Sequence, residues 1–89
     1  MNIQHSENIA WRIIDGQAYI VTVNDSKLHL LNEIGTRIWQ LIERKIDFEN
    51  LVKKLLSEYD VESEKLRADL KEFIEELKTK GLIKIEDNK

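Results

Sequence analysis

The chain has 89 residues, 42% of them apolar and 35% charged, with no cysteine and a formal net charge of −3. These values describe one domain over residues 1–89, with a modest core at about 9–85, and they exclude a disulfide scaffold and thiolate metal sites. The acidic balance also argues against general affinity for nucleic-acid phosphates, and no apolar run approaches bilayer length, so a cytoplasmic protein with no membrane span is expected.

The N-terminal stretch MNIQHSENI has no basic start followed by an apolar core, so it is expected to be a mobile end rather than a secretion signal. Ile9, Trp11 and Ile13 then alternate with Ala10, Arg12 and Ile14, the pattern of a strand with one buried face. Asp15-Gly16 suits a two-residue hairpin turn, and Gln17 to Val23 is the return strand, rich in strand-favouring side chains. Asn24-Asp25-Ser26 forms a second turn, and Lys27 to Leu31 returns as a third strand. The outcome is a three-stranded antiparallel meander.

Asn32 follows without a loop and is suited to cap a helix over Glu33 to Arg44, with an apolar stripe of Ile34, Ile38, Leu41 and Ile42. Gly35 inside this helix costs roughly 1 kcal/mol relative to alanine and implies close approach of another backbone. Asp47 caps a second helix carrying Phe48, Leu51, Val52, Leu55, Leu56 and Tyr59. After a break at residues 60–63, with Ser63 or Asp60 as cap, a third helix runs to about Lys80 with Leu66, Leu70, Phe73, Ile74 and Leu77 on one side. Gly81 stands where a left-handed C-terminal residue is expected. Leu82, Ile83 and Ile85 form an extended tail packed on the core, and the last four residues fray. The order of elements, three strands then three helices, is that of an α+β fold.

Catalytic and cofactor chemistry find no foothold. His5 and His29 are isolated, with His29 expected to point away from the core because it alternates with Leu28 and Leu30. Neither belongs to a metal-binding motif, the three glycines are scattered, and adjacent carboxylates such as Glu75-Glu76 point apart on a helix. No catalytic residue, no metal site and no cofactor are expected, and the chain reads as a non-enzyme.

The second and third helices resemble a helix-turn-helix unit, which raises DNA binding as an alternative. Val61 to Lys80, the candidate recognition helix, holds five basic residues (Lys65, Arg67, Lys71, Lys78, Lys80) against six acidic ones, an unfavourable balance near phosphates. Within that helix, Arg67, Lys71 and Lys78 lie beside Ile74 on one margin, while Asp69 and Glu76 occupy the other, with Glu72 beyond. Either these charges only solvate a packed helix or the apolar-basic margin faces a groove. The outer edge of the third strand offers that groove a partner, because its free amides and carbonyls can accept an extended peptide as a fourth strand. The same edge can also pair two copies of the chain, so monomer and edge-paired or swapped homodimer both stay open.

The strand pair around Asp15-Gly16, the segment LNEIGTRIW (residues 31–39), the Phe48–Tyr59 helix ending Glu58-Tyr59-Asp60, and the series Asp69, Phe73, Leu77, Gly81-Leu82-Ile83 together resemble the PqqD-like family. The likeness covers about Ile9 to Ile83, although relatives often carry a proline before the first strand and this chain has none. It implies a winged-helix-like recognition element for ribosomally made, post-translationally modified peptides, found in pyrroloquinoline quinone and lasso-peptide pathways. Such a protein binds the leader of a precursor peptide and delivers it to a partner, a radical S-adenosylmethionine enzyme or a leader peptidase. Carried over by that resemblance, the peptide-binding residues are Lys27, Leu28, His29 and Leu30 of the third strand and Arg67, Leu70, Lys71, Ile74 and Lys78 of the third helix. Leu31, Asn32, Gly35, Ile38 and Trp39 are scaffold. The alternatives are a small winged-helix nucleic-acid binder or transcriptional adaptor, and an interaction module of a larger complex.

Overall fold

The computed structural model describes residues 1–86. Its elements in chain order are β1 (Asn2–His5), β2 (Ile9–Ile14), β3 (Gln17–Thr22), β4 (Lys27–Leu30), α1 (Glu33–Leu41), β5 (Ile46–Asp47), α2 (Phe48–Glu58), α3 (Ser63–Thr79) and β6 (Ile83–Glu86). The fold is α+β, and the expected meander is present as the antiparallel sheet β2-β3-β4. Its first turn places Asp15 and Gly16 at φ 51° and 78°, the paired positive angles of a type I′ hairpin.

The N-terminal residues are not a mobile end. Asn2–His5 form the middle strand of a second antiparallel sheet, β5-β1-β6. The extended tail is the edge strand of that sheet, with Asn2 to His5 paired in order against Glu86 to Ile83. Glu86 therefore belongs to a strand, and the rest of the C-terminal stretch expected to fray lies outside the described residues. Ile3 is fully buried between the sheet and the helices. His5 closes the arrangement. Its ring stacks on Trp39 at a centroid distance of 3.7 Å and an interplanar angle of 12°, with Trp11 edge-on to both. Its Nε2–H donates to the Trp39 carbonyl at 2.9 Å. Burial of the ring pushes its pKa below the usual 6.5, opposed by the carbonyl contact and by the charge of Glu43.

The caps decide where each helix begins. Asn32 accepts from the Gly35 amide at 2.8 Å, and Asp47 accepts from the Glu49 amide at 3.0 Å. In α3 neither Ser63 nor Asp60 is the cap: Ser63 is already helical and Glu62 holds the cap position without a side-chain bond. That helix ends in a Schellman motif, with Gly81 N–H on the Lys78 carbonyl and Leu82 N–H on the Leu77 carbonyl, both 3.0 Å. The motif needs the left-handed φ of 77° that Gly81 supplies, and it turns the chain into β6.

The core side of α1 is Gly35, Ile38, Trp39 and Ile42, so the expected stripe is rotated: Ile34 stands 54% exposed. The atoms that crowd Gly35 belong to side chains rather than to a backbone. A Cβ there meets the Asn32 Oδ1 at 3.1 Å, the Phe73 ring at 3.2 Å and the Leu31 Cβ at 3.3 Å. Thr36 joins α1 to the sheet, its buried hydroxyl accepting from the Ala18 amide at 2.8 Å and donating to the Leu31 carbonyl at 3.4 Å. On the far side of α1, Arg37 holds Glu58 of α2 through two nitrogens, at 2.8 and 2.6 Å.

Candidate functional site

The site begins at a strand edge. β4 pairs with β3 on one side only, and no other strand flanks it among the described residues. Leu31 N–H donates to the Ala18 carbonyl at 3.1 Å, which sets the phase of the ladder. By the alternation of an antiparallel pair, His29 and Lys27 then bond to β3, while Leu28 and Leu30 turn their N–H and C=O groups to the open edge. Those four backbone groups are free to pair with an extended chain.

The register also reverses the expected orientation of His29. Ile20, which is fully buried, faces His29, and the exposed Val21 faces Leu28. His29 therefore lies on the inner face, half-buried with its Nε2 enclosed and unpartnered, while Leu28 and Leu30 are 56% and 53% exposed. Alternation alone suggested the opposite, because two leucines flank one histidine. Pairing with Ala18, Ile20 and Thr22, the small and buried side of β3, overrides it.

Beside this edge lies a cleft of about 430 Å³ between β4 and the C-terminal half of α3, lined by Leu28, His29 and Leu30 on one wall and Phe73, Glu76 and Lys80 on the other. A second, more apolar pocket of about 280 Å³ opens between α1 and the N-terminal half of α3, lined by Ile34, Ile38, Val61, Leu66, Leu70 and Phe73. Asn32 and Phe73 line both, so the two spaces adjoin at the Asn32 cap. The Gly35 contact keeps the Phe73 ring over the helix start and shapes that junction.

Of the expected binding residues, Leu28, His29 and Leu30 line the cleft and Leu70 lines the pocket floor; Lys27 lines neither. Apart from Leu70, the expected α3 residues line neither space. Arg67 points to α2 and bonds Glu49 at 2.6 Å, which holds the Glu49 carboxyl below its usual pKa. Ile74 is buried in the core, and neither Lys71 nor Lys78 lines either space. The margin that faces β4 and α1 carries Asp69, Phe73 and Glu76, with Lys65 and Lys80 at its two ends. Helical periodicity places Asp69 and Glu76 on one strip, but it does not say which flank of α3 packs on α2. Sequence reasoning also missed the exposed Ile34 and Val61, which become meaningful only as pocket walls.

Among the described residues no cluster of three or more metal-ligating side chains exists, and no helix is long and apolar enough to cross a membrane. The arrangement offers backbone hydrogen bonding, apolar contact and surface charge.

The backbone is similar to two solved structures. One, described as TbiB1 in complex with the TbiA(beta) leader peptide, superposes with a TM-score of 0.87 at 25% identity, over 96% of this chain and 99% of the other. The second, described as lasso peptide synthetase B1 complexed with the leader peptide, gives a TM-score of 0.83 at 19% identity, over 93% and 98%. No curated protein matches the chain in sequence. The sequence profile of Coenzyme PQQ synthesis protein D (PqqD) matches residues 11–83, from Trp11 on β2 to the first residue of β6, and the chain belongs to the PqqD family.

Proposed function

We propose that this chain is a non-catalytic carrier of a ribosomally made precursor peptide. It captures the leader segment as a fourth strand along β4, against α3, and presents the precursor to a separate modifying enzyme, of the radical S-adenosylmethionine type, or to a leader peptidase, in the cytoplasm. The observation that carries the reading is the open edge of β4, with outward amides at Leu28 and Leu30, beside a cleft deep enough for side chains. Family membership and the leader-bound state of two structural relatives support it. A nucleic-acid role gains nothing from the geometry, because the two lysines of the groove lining, Lys65 and Lys80, are matched by two carboxylates, Asp69 and Glu76, and leave no net positive charge.

The test first searches the neighbouring reading frames for a short candidate precursor and uses a synthetic peptide spanning its N-terminal half. Binding is followed by fluorescence polarisation, and amide hydrogen exchange is measured with and without peptide. The expected result is saturable binding with new protection at the Leu28 and Leu30 amides. No binding, or binding that leaves both amides exchanging at the free rate, overturns the proposal.

A further inference from the structure

We propose that the groove selects a peptide segment of about seven residues with a cationic side chain next to its apolar anchor; this rests on the peptide-binding reading above and specifies its ligand. The argument comes from the order of charges along the α3 margin. Lys65 and Asp69 border the apolar pocket, and Glu76 and Lys80 border the β4 cleft. Glu72 falls on the outer border of the same strip at 100° per residue. Read along the helix the signs run plus, minus, minus, minus, plus. The carboxylates therefore bracket Phe73, at the junction of the two spaces, and the lysines stand at the ends.

The other walls do not cancel this field. α1 contributes Asn32, Ile34 and Ile38 to the lining, and β4 contributes two leucines and His29. Arg67 is paired with Glu49 on the α2 side, and Lys71, at the middle of α3, lines neither space. The two local ion pairs, Lys65–Asp69 at 3.4 Å and Lys80–Glu76 at 3.1 Å, are solvent-exposed at both partners. Pairs of that kind contribute little and exchange readily with an incoming cation. Lys65 and Lys80 lie fifteen positions apart, roughly 22 Å along the axis. An extended strand covers that span in about seven residues. A chain following β4 and placing an apolar side chain in the α1–α3 pocket crosses the junction between them. Its cation meets Asp69 and Glu76 there, within about two positions of the anchor.

Random twelve-residue peptides displayed on phage are selected on the immobilised full chain and on a variant with Asp69→Lys and Glu76→Lys. Both positions are exposed, 60% and 57%, so the fold should be kept. Circular dichroism checks this, and Asp69→Asn with Glu76→Gln replaces the reversal if it fails to fold. The expected result is enrichment of Lys or Arg beside a large apolar residue on the native chain. The charge-reversed variant should lose that enrichment in favour of Asp or Glu, and the native-selected peptides should bind it about tenfold more weakly. Peptides that bind both proteins with one affinity and no cationic preference overturn the inference and leave the peptide-carrier reading standing. Recovery of no peptide by either protein overturns both.

Discussion

Among the described residues β6 and β4 each end a sheet with no further strand on the outer side, and the two edges are finished differently. On β6, apolar Ile83 and Ile85 alternate with Lys84 and Glu86, which are tied to Glu7 at 2.9 Å and to Lys45 at 2.8 Å. Charges along an edge discourage pairing with another chain. On β4 the two residues with outward backbone groups are Leu28 and Leu30, both more than half exposed, and the strand's one charge, Lys27, stands at its first position. A cleft runs beside that edge. The terminal sheet is thus finished as a structural edge and the meander as a receptive one. The proposed peptide site rests on that difference.

The sharpest way to break this comparison is to strike the terminal sheet. Ile3 is fully buried on its central strand, so Ile3→Ala should cost about 2–5 kcal/mol of stability. Urea denaturation reads this directly, and a loss under about 1 kcal/mol would mean that β1 is not part of the cooperative core. The complementary change is Leu28→Pro on β4. It removes an outward N–H and no ladder bond, a position where proline is tolerated on an edge strand. Peptide affinity should fall about tenfold or more, while the denaturation midpoint moves little. Unaltered affinity in a folded variant would detach the peptide from this edge.

The two sheets also differ in how plainly the chain announces them. The meander is local: Asp15-Gly16, the Asn24-Asp25-Ser26 turn and Asn32 are signals within a few residues of what they shape. The terminal sheet pairs the first residues with the last, and no local pattern in Asn2–His5 distinguishes a strand from a loose end. Within the site, the edge was legible because the strand order follows from consecutive hairpins. The identity of the facing α3 margin was not. That depends on the rotation of one helix, fixed by burial of Leu70, Ile74 and Leu77 in the shared core and by Phe73 over Gly35, contacts that join elements far apart in sequence. His29 misled for a related reason: alternation gives two faces, and only pairing with β3 says which is inside.

His5 supplies the smallest effect and a way to sharpen the contrast by pH. Trp39 and Trp11 enclose its ring, the Trp39 carbonyl takes its Nε2–H, and Glu43 is the nearby charge acting on it. Burial outweighs the carbonyl and Glu43, so the folded chain holds the proton less tightly than the unfolded chain does. The unfolded state therefore binds more protons in the window from 6.5 down to the lowered folded value. Stability should be whole above that window and decline as pH falls through it. His5→Gln, which keeps a donor for the Trp39 carbonyl and cannot titrate, should flatten the decline in urea midpoints as pH falls below 6.5. Carboxylates held low by their partners, such as Glu58 beside Arg37, act only in more acid solution. Hydrogen exchange across the same range, corrected for its intrinsic pH dependence, should show β1 and β6 loosening before the β3–β4 ladder. Simultaneous loosening of both sheets would mean that His5 reports on global unfolding, and that the terminal sheet is not a separately adjustable part of the fold.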